Sequence, residues 1–213
     1  MKKVLFVLVL SLLFTLALAQ SIGNYVFSSF ESNYEEISGG TLLGNELSQN
    51  QYFVDPEVPL GSTTNTGVGF PLGFDFYYGN YLFNRVGINT EGWLSLGTSS
   101  LSPAVNMATS STTVPLSSAS AISPAYLVSR ISALGANLQA QTGATLRIET
   151  IGEAPNRVFV AQWKGYRKSS ATGDNFNFQI RLYESSNVIS IMYGTMTINA
   201  TSVNVQVGIR GEP

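Results

Sequence analysis

The chain has 213 residues, no cysteine and no histidine; charged residues make up only 11% of it, and the formal net charge is −2. This composition excludes disulfide staples, thiol and imidazole catalysis, and zinc or thiolate centres built on those side chains. The mild acidity also excludes the basic face that nucleic acid or an anionic membrane surface calls for.

Lys2 and Lys3 open the chain and are followed by an apolar run from Val4 to Leu10, continued by Leu12, Leu13, Phe14 and Leu16. The run closes on Ala17-Leu18-Ala19, the small-x-small pattern of a signal-peptidase site. Residues 1–19 therefore read as a secretory signal peptide, with Gln20 the first mature residue. The apolar stretch is shorter than the ~20 residues a membrane-spanning helix needs, and no later segment reaches that length, so no membrane span is expected after cleavage. Removing residues 1–19 from 213 leaves 194, one domain's worth of chain and enough for a core without staples. Taking Lys2 and Lys3 from the 11 basic residues leaves 9 against 13 acidic ones, a mature charge of −4. The expected location is secreted, at the extracellular cell surface.

The mature chain reads as short period-2 runs separated by Gly, Asn, Ser and Pro, the pattern of antiparallel β-structure. Phe70, Leu72, Phe74 and Phe76 form one apolar face, with Pro71, Gly73 and Asp75 on the other. Gly79-Asn80 supplies a turn, Tyr81 to Asn89 a return strand, and Glu91-Gly92 a second turn into Trp93-Leu94-Ser95-Leu96, which predicts a three-stranded meander. Residues 98 to 124, rich in Ser, Thr, Ala and Pro, read as a long surface loop. From Pro124 to Ala140, Leu127, Ile131, Leu134 and Leu138 recur at helical spacing and predict one short helix.

Strands are then predicted at Ala144 to Ile151, Arg157 to Trp163, Asn175 to Glu184, Val188 to Tyr193 and, lastly, Val203 to Ile209. In the third of these Phe176, Phe178, Ile180 and Leu182 face in while Asn177, Gln179 and Arg181 face out. Val203, Val205, Val207 and Ile209 form the inward face of the last. Each strand has one apolar side, so two sheets must pack face to face. The fold class is all-β, an antiparallel β-sandwich with a jelly roll as a possible topology, in a single domain spanning 20–213.

Carboxylate pairs are the one catalytic option left open, since glycosidases use two of them about 5–10 Å apart. Asp75, Glu91, Glu149, Glu153, Asp174 and Glu184 are the candidates by type, and turns and wet faces account for most of them. Asp55-Pro56-Glu57 offers two oxygen donors without the alternating acidic spacing of a calcium loop, so no metal and no cofactor is expected. Asn199-Ala200-Thr201 matches a glycosylation acceptor. Trp93 and Trp163 fall on strand faces and are read as packing residues, whereas Tyr77, Tyr78, Tyr81 and Tyr166 cluster at turns and are candidate sugar- or protein-binding residues. Tyr77 and Tyr78 are adjacent in a strand, so one of the two must face solvent.

Gly69-Phe70-Pro71-Leu72-Gly73-Phe74-Asp75-Phe76-Tyr77-Tyr78-Gly79, with Gly87-Ile88-Asn89-Thr90-Glu91-Gly92-Trp93-Leu94-Ser95-Leu96-Gly97, resembles a signature of Bacteroidetes-type secreted cell-surface modules. Nidogen-like extracellular domains carry a looser version of it. Residues 154–164 and 177–184 resemble the later strands, so the likeness spans roughly Tyr25 to Gly211. It implies a β-sandwich module that usually stands at the N-terminus of larger, type IX-secreted proteins. The family's acidic segment near its middle strand is replaced here by Ser123-Pro124-Ala125-Tyr126-Leu127-Val128, so no metal role carries over to it. The expectation is a non-enzyme serving adhesion, surface architecture or spacing. The alternatives are a carbohydrate-binding module and, more distantly, a carboxylate-dependent glycosidase. A surface glycan or an extracellular protein is the partner class, and nucleic acid is not.

Overall fold

The structure, a computed structural model, describes residues 25–45, 48–58, 61–109, 111–117, 129–199, 202 and 204–211. The expected signal peptide lies outside these residues. In chain order the strands are β1 (Thr41–Asn45), β2 (Tyr52–Phe53), β3 (Thr66–Gly67), β4 (Phe70–Tyr78), β5 (Tyr81–Asn89), β6 (Trp93–Gly97), β7 (Val105–Asn106), β8 (Arg130–Gly135), β9 (Leu138–Ile151), β10 (Val158–Lys168), β11 (Phe176–Tyr183), β12 (Ile189–Tyr193) and β13 (Gln206–Arg210). One sheet runs β1-β9-β10-β11-β12; the other runs β13-β8-β6-β5-β2, with β4 also paired to β5. Every pairing is antiparallel.

The alternation that predicts the meander is the alternation that builds the core. Along β4, Phe70, Leu72, Phe74, Phe76 and Tyr78 are buried and the residues between them exposed. The apolar side chains of β11 meet them from the opposite sheet, so the two faces close on each other. Trp163 stacks on Phe178 at 5.1 Å and 13°, and its indole N–H crosses to the other sheet to donate to Asn89 O at 3.1 Å. Trp163 is thus a packing residue, as its strand face implies.

Four expectations are corrected. The predicted helix is absent where it is described: Ile131 and Leu134 lie in β8 and Leu138 opens β9, while residues 124–128 fall outside the described residues. Strand β8 is buried at all six positions because both its faces are covered. A strand apolar on both sides loses its period of two and can mimic a helical spacing. The expected surface loop after residue 98 is also partly internal: Ala104, Val105 and Met107 are buried, and Val105 and Met107 form a second small core with Val54 and Trp93 on the outer side of the six-stranded sheet. The last strand begins only at Gln206, so Val205 lies before it and is exposed; Val207 is exposed and Gly208 buried where the register shifts between Gln206 and Gly208, and Val203 falls outside the described residues. A one-residue bulge sends the following side chains to the opposite face.

The fourth correction concerns the outer face of the five-stranded sheet, where Asn177 and Gln179 are buried rather than wet. Residues 34–40 cross that face as an extended strap. The Ile37 N–H donates to Gln162 Oε1 at 2.9 Å and Gln162 Nε2 returns a bond to Ile37 O at 3.0 Å. Gln179 Nε2 donates to Glu35 O at 2.8 Å and to Gln162 Oε1 at 2.7 Å. Two glutamines thus satisfy strap backbone that no ladder reaches.

Candidate functional site

The four tyrosines separate into two groups. Tyr78 is fully buried, its ring 5.5 Å from Tyr25 and 6.3 Å from Phe83, and Tyr166 is fully buried as well. Neither can stack on a ligand from the surface, which corrects their place among the binding candidates. Tyr77 points the other way, as alternation requires, and is 57% exposed beside its cross-strand neighbour Leu82. Its backbone N–H is held by Asn187 Oδ1 at 2.8 Å. Tyr81 is half-buried against the core. The aromatic platform that remains is Tyr77, with Tyr81 at its edge.

The carboxylate candidates stand in different surroundings. Asp75 and Glu153 are exposed. Glu184 is bidentate to Arg157, through Nε at 2.8 Å and Nη2 at 2.5 Å, and this guanidinium holds its carboxyl below the ordinary range. Asp174 is buried and accepts from Asn199 N at 2.8 Å, which ties down the Asn of the glycosylation triplet. Among the described residues no three acidic side chains gather as a metal site would require. Asp55 and Tyr52 line a cleft of about 140 Å³ with Val54, Val58, Ser62 and Thr64. There Asp55 Oδ1 accepts the Glu57 N–H at 2.9 Å, so the Asp55-Pro56-Glu57 segment is an Asx turn.

Glu91 is the exception. It stands in the β5–β6 turn, reads by type as a solvated turn residue, and is 2% exposed. Its Oε2 accepts from Leu138 N at 2.6 Å, so the carboxyl bridges the two sheets at one end of the sandwich. The turn is pinned against β8: Gly92 has φ +82°, its carbonyl accepts from Ala133 and Leu134, and a Cβ there would lie 2.6 Å from Leu134 O. Burial pushes the Glu91 carboxyl up to about 7, against the smaller opposing pull of the Leu138 amide. The Asn89 side-chain N–H and the Tyr166 hydroxyl are buried without a hydrogen-bond partner among the described residues.

Arg130 is the counterpart on the other side of the six-stranded sheet. Its guanidinium is fully buried, lies 5.3 Å from the Trp93 ring centroid, and donates to Pro115 O at 2.9 Å and to Ala108 O. Trp93 Nε1 donates to Thr112 O at 2.9 Å. The pair therefore fastens the 98–117 segment to the sheet through its carbonyls. Burial lowers the Arg130 pKa to about 10, with Arg210 adding to the effect. Sequence reading took Glu91 for a solvated turn residue and did not single out Arg130, because both locks depend on contacts between segments far apart in the chain.

Large apolar side chains are exposed at several points of the surface. Phe27 and Phe30 stand on residues 26–33, Val188 and Ile198 on either side of β12, and Val205 and Val207 at or next to β13. The Tyr193 hydroxyl reaches from β12 to Ala133 O of β8, the strand that carries β13.

These features define an antiparallel β-sandwich module, its outer faces fastened by buried polar side chains and several large apolar side chains left exposed. The NIDO-related family model matches residues 24–212, and the chain belongs to that family of extracellular-type domains, as the nidogen-like signature implied. Neither a curated protein nor a solved structure matches the chain. Among the described residues no helix is long and apolar enough to cross a membrane.

Proposed function

We propose that the chain is a secreted, non-catalytic module that acts by surface contact, in adhesion or surface architecture. The supporting observation is the exposure of large apolar side chains on residues 26–33, with Phe27 at 74% and Phe30 at 70%. The buried carboxyl and guanidinium support the same reading, since both are engaged in fastening the fold. A surface glycan or an extracellular protein is the class of partner.

A carbohydrate-binding reading stands second, favoured by the exposed Tyr77 ring next to Leu82. Immobilised chain would be challenged with a glycan array and with extracellular protein extracts, comparing wild type with the Phe27→Ser/Phe30→Ser double variant and with Tyr77→Ala. Loss of protein capture in the double variant supports the first reading, and loss of glycan capture in Tyr77→Ala supports the second. Turnover of any substrate by the purified chain would overturn both.

A further inference from the structure

Four edges bound the two sheets, and an unguarded edge pairs readily with another chain. Three of them are guarded. β1 has a register shift between Leu42 and Gly44, and β13 one between Gln206 and Gly208. β4 carries Pro71 and a shift of its own, and side chains of the opposing sheet take up its outer backbone. Thr150 Oγ1 donates to Leu72 O at 2.9 Å, Arg157 Nη1 donates to Gly73 O at 2.5 Å, and Asn187 Oδ1 accepts from Tyr77 N.

The fourth edge, β12, has none of these devices. It pairs with β11 in unbroken register from Phe178↔Tyr193 to Leu182↔Ile189, and its sequence Ile189-Ser190-Ile191-Met192-Tyr193 holds no charge, proline or glycine. The bonds Gly194 N to Asn177 O and Tyr183 N to Val188 O bracket the ladder and set its phase. Ser190 and Met192 bond to β11, so the backbone groups of Ile189, Ile191 and Tyr193 point away from the sheet. No described residue bonds them. Residues 26–33 run from Tyr25, packed on Tyr78, to Tyr34, packed on Gly194, are exposed at every position and make no hydrogen bond to this edge.

We propose that β12 is a self-association edge, pairing antiparallel with β12 of a second copy about a two-fold axis at Ile191. The phase allows it: Ile191 meets Ile191, Ile189 meets Tyr193, and about six backbone hydrogen bonds form across the axis. The strand is neutral, so its own copy meets no like charge, and Val188, exposed beside it, adds apolar contact. The two five-stranded sheets become one continuous ten-stranded sheet. This inference rests on the surface-contact reading and names its partner.

The test is the light-scattering mass of the purified chain between about 10 μM and 1 mM, for wild type, Met192→Leu and Met192→Lys. Twice the single-chain mass is expected for wild type and Met192→Leu, with dimerisation weakened tenfold or more in Met192→Lys, whose two charges lie diagonally across the axis on the same face of the sheet. A single-chain mass for wild type throughout, or equal dimerisation in the two variants, overturns the pairing. Should Met192→Lys fail to fold, amide exchange of wild type decides. Protection of Ile189, Ile191 and Tyr193 that appears only at high concentration supports the pairing, and protection independent of concentration overturns it. A monomer that still captures glycan or protein removes the pairing alone, whereas a dimer that turns over substrate removes only the functional reading.

Discussion

Replacing Glu91 by glutamine should remove a pH dependence of stability that the wild-type chain carries near neutrality. The carboxyl titrates near 7 in the folded chain against an ordinary 4.5, because folding takes it out of water. Its raised value means that the folded state binds the proton more tightly. Stability is therefore fully present below about pH 4.5 and is lost as pH rises through about 7. The full span corresponds to roughly 3 kcal/mol, of which about 2 kcal/mol falls between pH 5 and pH 8. Glutamine keeps an oxygen for the Leu138 amide and has no charge to bury. Glu184 acts in the opposite sense: its depressed carboxyl loses its contribution as pH falls, on the acid side of 4.5, and does not overlap this window.

Urea unfolding at pH 5, 6, 7 and 8, followed by the fluorescence of the fully buried Trp93 and Trp163, would measure the effect. The wild-type midpoint should fall by on the order of 1 M over that range while Glu91→Gln stays flat. The two should be similar at pH 5, and the variant the more stable at pH 8. A flat wild-type profile, or parallel profiles for the two proteins, would refute the assignment of a buried, proton-binding carboxyl to Glu91.

Substitutions at two further residues probe the buried polar groups. Tyr166→Phe removes a buried hydroxyl with no bonding partner and should leave stability unchanged or raise it by about 0.5–1 kcal/mol; a loss above 1 kcal/mol in urea unfolding would mean that the hydroxyl is bonded. Arg130→Ala strips two carbonyl acceptors of their donor and opens space against Trp93, so a loss of about 2–4 kcal/mol is expected, with faster proteolysis within 98–117. Arg130→Met, which keeps the volume without the buried charge, should lose less, and equal losses in the two variants would count against packing as a main part of Arg130's role.

The sequence by itself determined the strands whose two faces differ. In β4 and β11 large apolar side chains alternate with small or polar ones, and a strand's pleat converts that alternation directly into an inside and an outside. The meander, the β11–β12 hairpin, the sandwich class, the packing of Trp163 and the opposed directions of Tyr77 and Tyr78 all follow from it. The nidogen-like signature was legible separately, as a resemblance carried by residues 69–79 and 87–97. Alternation does not report what lies beyond the polar side of a strand. That is why Asn177 and Gln179 read as wet, although Gln179 bonds the backbone of Glu35, 144 positions earlier in the chain. It is also why β8, covered on both faces, read as a helix. The surroundings of Glu91, the Arg130–Trp93 lock and the openness of the β12 edge depend on which segments reach which face. Such contacts join residues far apart in the chain, and only the tertiary structure decides them.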